Sequence, residues 1–218
     1  MALYVAAGQD FRCKGRYKIL NAKCYISMKS KYFSTVEIIF LSSMIGLDFA
    51  FGLIVKPILT ASGIGEFIRI DLIVPTMMLL ITRLVIDKFG TLIIYEFVWS
   101  ILAVIAMPAS FGLPGFLKII PAVIYGFILD SFMELFKNHL YIRIFVACII
   151  GGIINQFALM GVKLLYGMPW SEVVQLLLGI NIATSLIVNI IAVHLTLLVW
   201  KGLEGSGWVR RIAGWRTS

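Results

Sequence analysis

Between Phe33 and Lys201 the sequence is a succession of long apolar runs, broken only by short polar or Gly/Pro-containing connections. A bilayer core of about 30 Å takes about 20 apolar residues per helical crossing. Six stretches of that kind fall near residues 33–59, 69–86, 90–107, 117–136, 140–166 and 172–201. Backbone polar groups in lipid must be satisfied within the segment, so runs of this length predict helices rather than open strands. The fold class expected is an all-α integral membrane protein, a six-transmembrane-helix bundle. The balance of 61% hydrophobic against 14% charged residues agrees, being too apolar for a water-soluble domain of 218 residues.

The net charge of +8 is distributed as a membrane topology signal, not as a nucleic-acid patch. Of nineteen Lys and Arg, fifteen fall on one side of the six-span layout: seven in the first 31 residues, Arg83 with Lys88, Lys137 with Arg143, and four from Lys201 onward. Lys56, Arg69, Lys118 and Lys163 are left for the other side. Basic residues favour cytoplasmic loops, so both termini are expected in the cytoplasm. The layout divides into a basic N-terminal tail over 1–32, a membrane domain over 33–201 and a basic C-terminal tail over 202–218. Residues 1–31 hold no apolar core of signal-peptide length, and Met28, which opens Met-Lys-Ser-Lys-Tyr-Phe-Ser, is a candidate true start. A native peptide beginning upstream of Met28 excludes that start.

Little in the sequence suggests catalysis. Cys13, Cys24 and Cys148 have no metal or redox spacing, and His139 and His194 have no partner at ligand spacing. Neither a metal nor another cofactor is expected. A Gly-x-x-x-x-Gly-Lys-Ser/Thr phosphate loop does not occur, so ATP hydrolysis must come from another chain. Asp130 and Glu134 stand at i and i+4 near the inner end of the fourth span, where pairing with Arg83, Lys88 or Lys137 is the plain reading. Glu96, about two turns into the third span, is expected to join that network. Asp48 is the ionisable residue expected at mid-bilayer.

Polar residues in the outer half of the spans are costly unless partnered. They are Arg69, Asp71, Lys118, Asn155, Gln156 and Asn181. Two readings stand: amide bonding between helices, or a site for a neutral, heterocyclic or zwitterionic solute, since amides both donate and accept. The outer connections carry Glu66, Phe111 and Trp170 among Gly and Pro turn formers, as simple reversals or as ordered loops over a cavity. Ser42, Gly46 and Ala50 form a small-residue stripe on the first span, for packing within the chain or for docking on another membrane subunit.

Taken together, Arg69-Ile-Asp71-Leu-Ile-Val-Pro75, the Asp87-Lys88-Phe89-Gly90 turn, Gly112-Leu-Pro114-Gly115, Pro121, Tyr125-Gly126 and Asp130 resemble the substrate-binding S components of energy-coupling factor (ECF) vitamin transporters. The likeness spans most of residues 28–201, and falls nearest the members associated with thiamine or its hydroxymethylpyrimidine precursor. The family's stripe on the first helix is Ala-based, whereas here it is Ser42, Gly46 and Ala50. The resemblance implies a non-enzymatic subunit in a prokaryotic-type plasma membrane, capturing a vitamin on the outer side beneath the first outer loop. Phe111 and Trp170 would stack on its ring, Asn155, Gln156 and Asn181 would read its polar edge, and Glu66 or Asp71 would meet a cationic ring. A transmembrane coupling subunit and two ATPase subunits would complete the importer. A self-sufficient secondary transporter or channel is the alternative.

Overall fold

A computed structural model describes residues 33–61, 70–106, 113, 115–171, 173–174 and 180–212. Among them the chain is all-helical: α1 (Thr35–Ala61), α2 (Ile73–Ile86), α3 (Thr91–Ala106), α4 (Ile119–Leu135), α5 (Leu140–Leu165), α6 (Ile180–Leu203) and a short α7 (Gly207–Ile212). Helices α2 to α6 close into a ring in the order α2, α3, α4, α5, α6 and back to α2, and α1 packs against α2 and α3. Large apolar side chains such as Ile54, Ile105, Phe127 and Phe157 point outward and are exposed on the protein's own surface. An outer surface of that kind is what lipid covers.

Four segments are long and apolar enough to cross a membrane: Thr35–Leu59, Gly115–Leu135, Leu140–Leu165 and Ile182–Leu203. The chain is therefore a membrane-embedded helical protein. The expected spans at 69–86 and 90–107 fold as shorter apolar helices, α2 of 14 residues and α3 of 16. At 1.5 Å per residue these reach only about 21 and 24 Å.

One end of the bundle is tied by charge. The Arg83 guanidinium at the end of α2 donates from Nε to Asp130 Oδ1 of α4 at 2.6 Å, with both side chains fully buried. It also meets Asp87 at 3.2 Å and Glu134 at 2.9 Å. The second Asp130 oxygen accepts the backbone N–H groups of Gly90 at 3.0 Å, Leu92 at 2.8 Å and Ile93 at 3.3 Å. Those N–H groups have no partner within α3, so α4 caps the α3 N-terminus across the interface. Gly126, one turn before Asp130, makes the approach possible: a Cβ there would lie 2.5 Å from the Leu92 carbonyl oxygen.

The α2–α3 turn is equally determined. Asp87 closes α2 in the left-handed region, at φ 46°, and its N–H donates to the Arg83 carbonyl. Its carboxylate accepts from Arg143 Nη2 of α5 at 2.6 Å. Lys88 reaches back to Glu37 of α1 at 2.7 Å. Glu37 and Ser34 form a reciprocal capping box, Ser34 N–H donating to Glu37 Oε2 and Glu37 N–H to Ser34 Oγ. The expected pairing of Asp130 and Glu134 with Arg83, and of Glu134 with Lys137, is present. Part of the expected C-terminal tail is ordered as α7, which packs on α1 and α2 with Val209 buried.

Removing the Asp130 carboxylate strands a buried guanidinium and uncaps α3, and breaking such a pair costs about 3–5 kcal/mol. Asp130→Ala is expected to melt well below wild type in detergent, whereas a change under about 1 kcal/mol would mean the pair is not structural. Asp87 gives a pH signature. Burial alone pushes its carboxyl up, but the Arg143 hydrogen bond and the charges of Arg143, Arg83 and Lys137 more than offset this and hold it below its ordinary 3.8. A lowered folded-state pKa contributes stability that is fully present above the ordinary value and lost as pH falls through the folded one. Asp87→Asn keeps a residue tolerant of positive φ. Melting temperatures should therefore separate wild type from Asp87→Asn at pH 7, and the gap should close only as pH falls from the ordinary 3.8 through the lower folded-state value; an equal gap at both ends contradicts the assignment.

Candidate binding cavity

The half of the bundle away from the ion pairs is hollow. A cavity of about 170 Å³ is lined by all six of α1 to α6 and by the 3₁₀ turn at Ile70–Leu72. It is comparable to the roughly 150 Å³ cavity that admits benzene in an engineered core, and so suits a single ring. The cavity exists because small or kink-compatible residues stand where helices would otherwise fill it. Gly52 of α1, Pro75 of α2, Pro121 and Ala122 of α4 and Gly152 of α5 contribute little side chain.

Polar groups enter this space from several helices. Asp71, Asn155 and Gln156 were all expected at a site, and all three line the cavity. Asn155 Oδ1 is buried with no hydrogen-bond partner among the described residues. Asp48 of α1 is 4% exposed; one of its oxygens accepts the Tyr95 hydroxyl at 2.9 Å, and the other has no partner among the described residues. Leaving a buried acceptor unpaired costs about 1–3 kcal/mol.

Glu96 corrects an expectation. It lines the cavity with Asp48 instead of joining the ion pairs at the bundle end. Helix register explains the difference: the α3 N-terminus is already capped by Asp130, and Glu96 and Trp99, at i and i+3, share the face that looks into the hollow.

The aromatic residues of the site also differ from those expected. Phe51, Trp99 and Tyr125 form aromatic walls. Trp170 lies beyond the α5 C-terminus, after a turn with Gly167 at φ 91°, is 64% exposed and is not among the lining residues. Glu66, Phe111 and the first outer loop lie outside the described residues, as does the Asn181 side chain; the Asn181 backbone belongs to the first turn of α6. The amide that α6 places in the cavity wall is Asn189. Its Nδ2 donates to the Cys148 carbonyl at 3.3 Å, and it sits in a notch at Gly152, where a Cβ would lie 2.5 Å from that nitrogen. Its signal in the sequence is the lone amide in the apolar run Ile187-Val-Asn-Ile-Ile191.

The expected docking stripe faces away from the bundle. Ser42, Gly46 and Ala50 are exposed, and no atom would lie within 4 Å of a Cβ at Gly46. Packing within the chain is thus not what the stripe serves among the described residues. No group of three or more metal-ligating side chains occurs among them. No family model, curated protein or solved structure matches the chain.

Gly152→Ala should evict Asn189 from its notch and break the bond to Cys148, lowering stability by about 1–3 kcal/mol. The double variant Gly152→Ala/Asn189→Ala removes the displaced amide and should recover most of that loss. Thermal unfolding of the purified protein checks this, and additive losses would show that the two residues do not share the notch.

Proposed function

We propose that this chain is the substrate-binding membrane subunit of an ATP-driven importer, taking a vitamin or related small heterocyclic molecule from the outer side of a prokaryotic-type plasma membrane. The observation that carries the proposal is the cavity. A single-ring space inside a membrane-embedded bundle, walled by aromatics and by Asp71, Asn155 and Gln156, suits a flat solute with a polar edge. In this reading all six helices cross the bilayer, both termini are cytoplasmic and the ion-paired end faces inward, as the positive charge there favours. The chain carries no catalysis of its own. The exposed Ser42, Gly46 and Ala50 stripe is the docking face for a separate coupling subunit that works with two ATPases. The ECF S-component likeness supports the same assignment.

A second reading is favoured by one observation. Asp48 and Glu96 both face the cavity, which is where a self-sufficient secondary transporter would keep ionisable groups.

Gentle affinity purification from the native host, followed by mass spectrometry, is expected to recover a membrane coupling subunit with ATPases and to release a small heterocycle. Replacing Ser42 and Gly46 with Leu should spare ligand binding and abolish uptake, while Asn155→Ala should weaken binding with the fold intact. Uptake of the solute by the purified chain alone in liposomes under an ion gradient would overturn the importer reading in favour of the secondary carrier.

A further inference from the structure

The cavity chemistry narrows what it can hold. Three carboxylic side chains line it, Asp48, Asp71 and Glu96, and no Lys or Arg is among the described lining residues. Two buried acceptors on residues of this lining, Asp48 Oδ1 and Asn155 Oδ1, lack a hydrogen-bond partner among the described residues. Asp48 is nine-tenths buried and more, with Tyr95 satisfying only one of its two oxygens. An occupant that completes these two acceptors must donate hydrogen bonds, and the Asp48 and Glu96 carboxyl groups in the wall favour one that carries positive charge. Phe51, Trp99 and Tyr125 add ring faces, which attract cations as well as flat apolar rings. A bare metal ion fits less well, since no cluster of three or more ligating side chains occurs among the described residues.

We infer that Asp48 and Glu96 form the recognition site for a single-ring organic cation bearing N–H donors, held in the cavity with Asp48 and Asn155 accepting from it. This rests on the binding-subunit reading and adds the charge class of its substrate. Asp48 is the anchor because it lines the cavity and its second oxygen has no other partner among the described residues. Glu96 acts from α3 as the second carboxyl group in the wall.

The test is calorimetric titration of the purified full-length protein with a matched pair, benzamidinium and benzamide, which share a ring and differ in charge. Benzamidinium should bind at least tenfold more tightly than benzamide. Asp48→Asn should weaken benzamidinium at least tenfold while leaving benzamide within about twofold. Glu96→Gln should erode the same preference and carries the test should Asp48→Asn not remain monodisperse. Equal binding of the pair, no binding of either, or an unchanged preference in both variants overturns the inference. Displacement of benzamidinium by sodium chloride but not by potassium chloride overturns it as well, assigning the site to an inorganic ion. The importer reading is judged separately, by which subunits co-purify, so a neutral ligand alongside recovered ATPases would remove the charge class alone.

Discussion

A guanidinium and a carboxylate fully withdrawn from solvent, Arg83 and Asp130, hold together the end of the bundle where α2, α3 and α4 meet. Burying an ion pair is costly unless the remaining hydrogen-bonding capacity is met. Here it is met: Asp130 also takes three backbone N–H groups from the start of α3, and Arg83 spends its other nitrogens on Asp87 and Glu134. Asp87 passes the connection to α5 through Arg143, and Lys88 passes it to α1 through Glu37. In lipid, apolar helix faces gain little from each other that the bilayer does not already offer, so directional polar contacts of this kind set which helices are neighbours.

That constraint bears on the other half of the molecule. With one end fixed by charge and by the close approach at Gly126, the cavity forms where Gly52, Pro75, Pro121 and Gly152 contribute little side chain. Asp48 and Glu96 lie away from the ion pairs, where neither has a basic partner among the described residues lining the cavity. The two kinds of acidic residue therefore do different work. Asp87, Asp130 and Glu134 are matched to arginine and lysine within the chain, while Asp48 and Glu96 are left facing an open volume.

Much of this was legible in the sequence, for a definable reason. The membrane setting follows from run length and composition, and the ion-paired end from Asp130 and Glu134 at i and i+4 opposite a concentration of basic residues. Asp71, Asn155 and Gln156 stood out because each interrupts or opens an apolar run, and the cost of a polar group in such a run is independent of which way it faces. Direction was what the sequence lacked. Lipid-facing and core-facing sides of these helices are both apolar, so no amphipathic period tells them apart. Glu96 therefore reads with the nearer charges and Trp99 does not separate from its apolar neighbours, whereas Asn189 carries the same signal as Asn155, an amide in an apolar run, and was overlooked. The resemblance implies Trp170 as a stacking residue, but it lies past the end of α5, exposed and outside the cavity lining.

The most direct test of the membrane arrangement is residue accessibility in sealed cells. With Cys13, Cys24 and Cys148 replaced by Ala, single cysteines would be placed at Trp170, beyond the cavity end, and at Phe89, in the turn of the ion-paired end; both positions are exposed. A membrane-impermeant thiol reagent added outside is expected to label the Trp170 position in intact cells and the Phe89 position only after permeabilisation. Labelling of Phe89 from outside with Trp170 protected would contradict the arrangement, placing the cavity on the cytoplasmic side and removing its role in capturing solute from without.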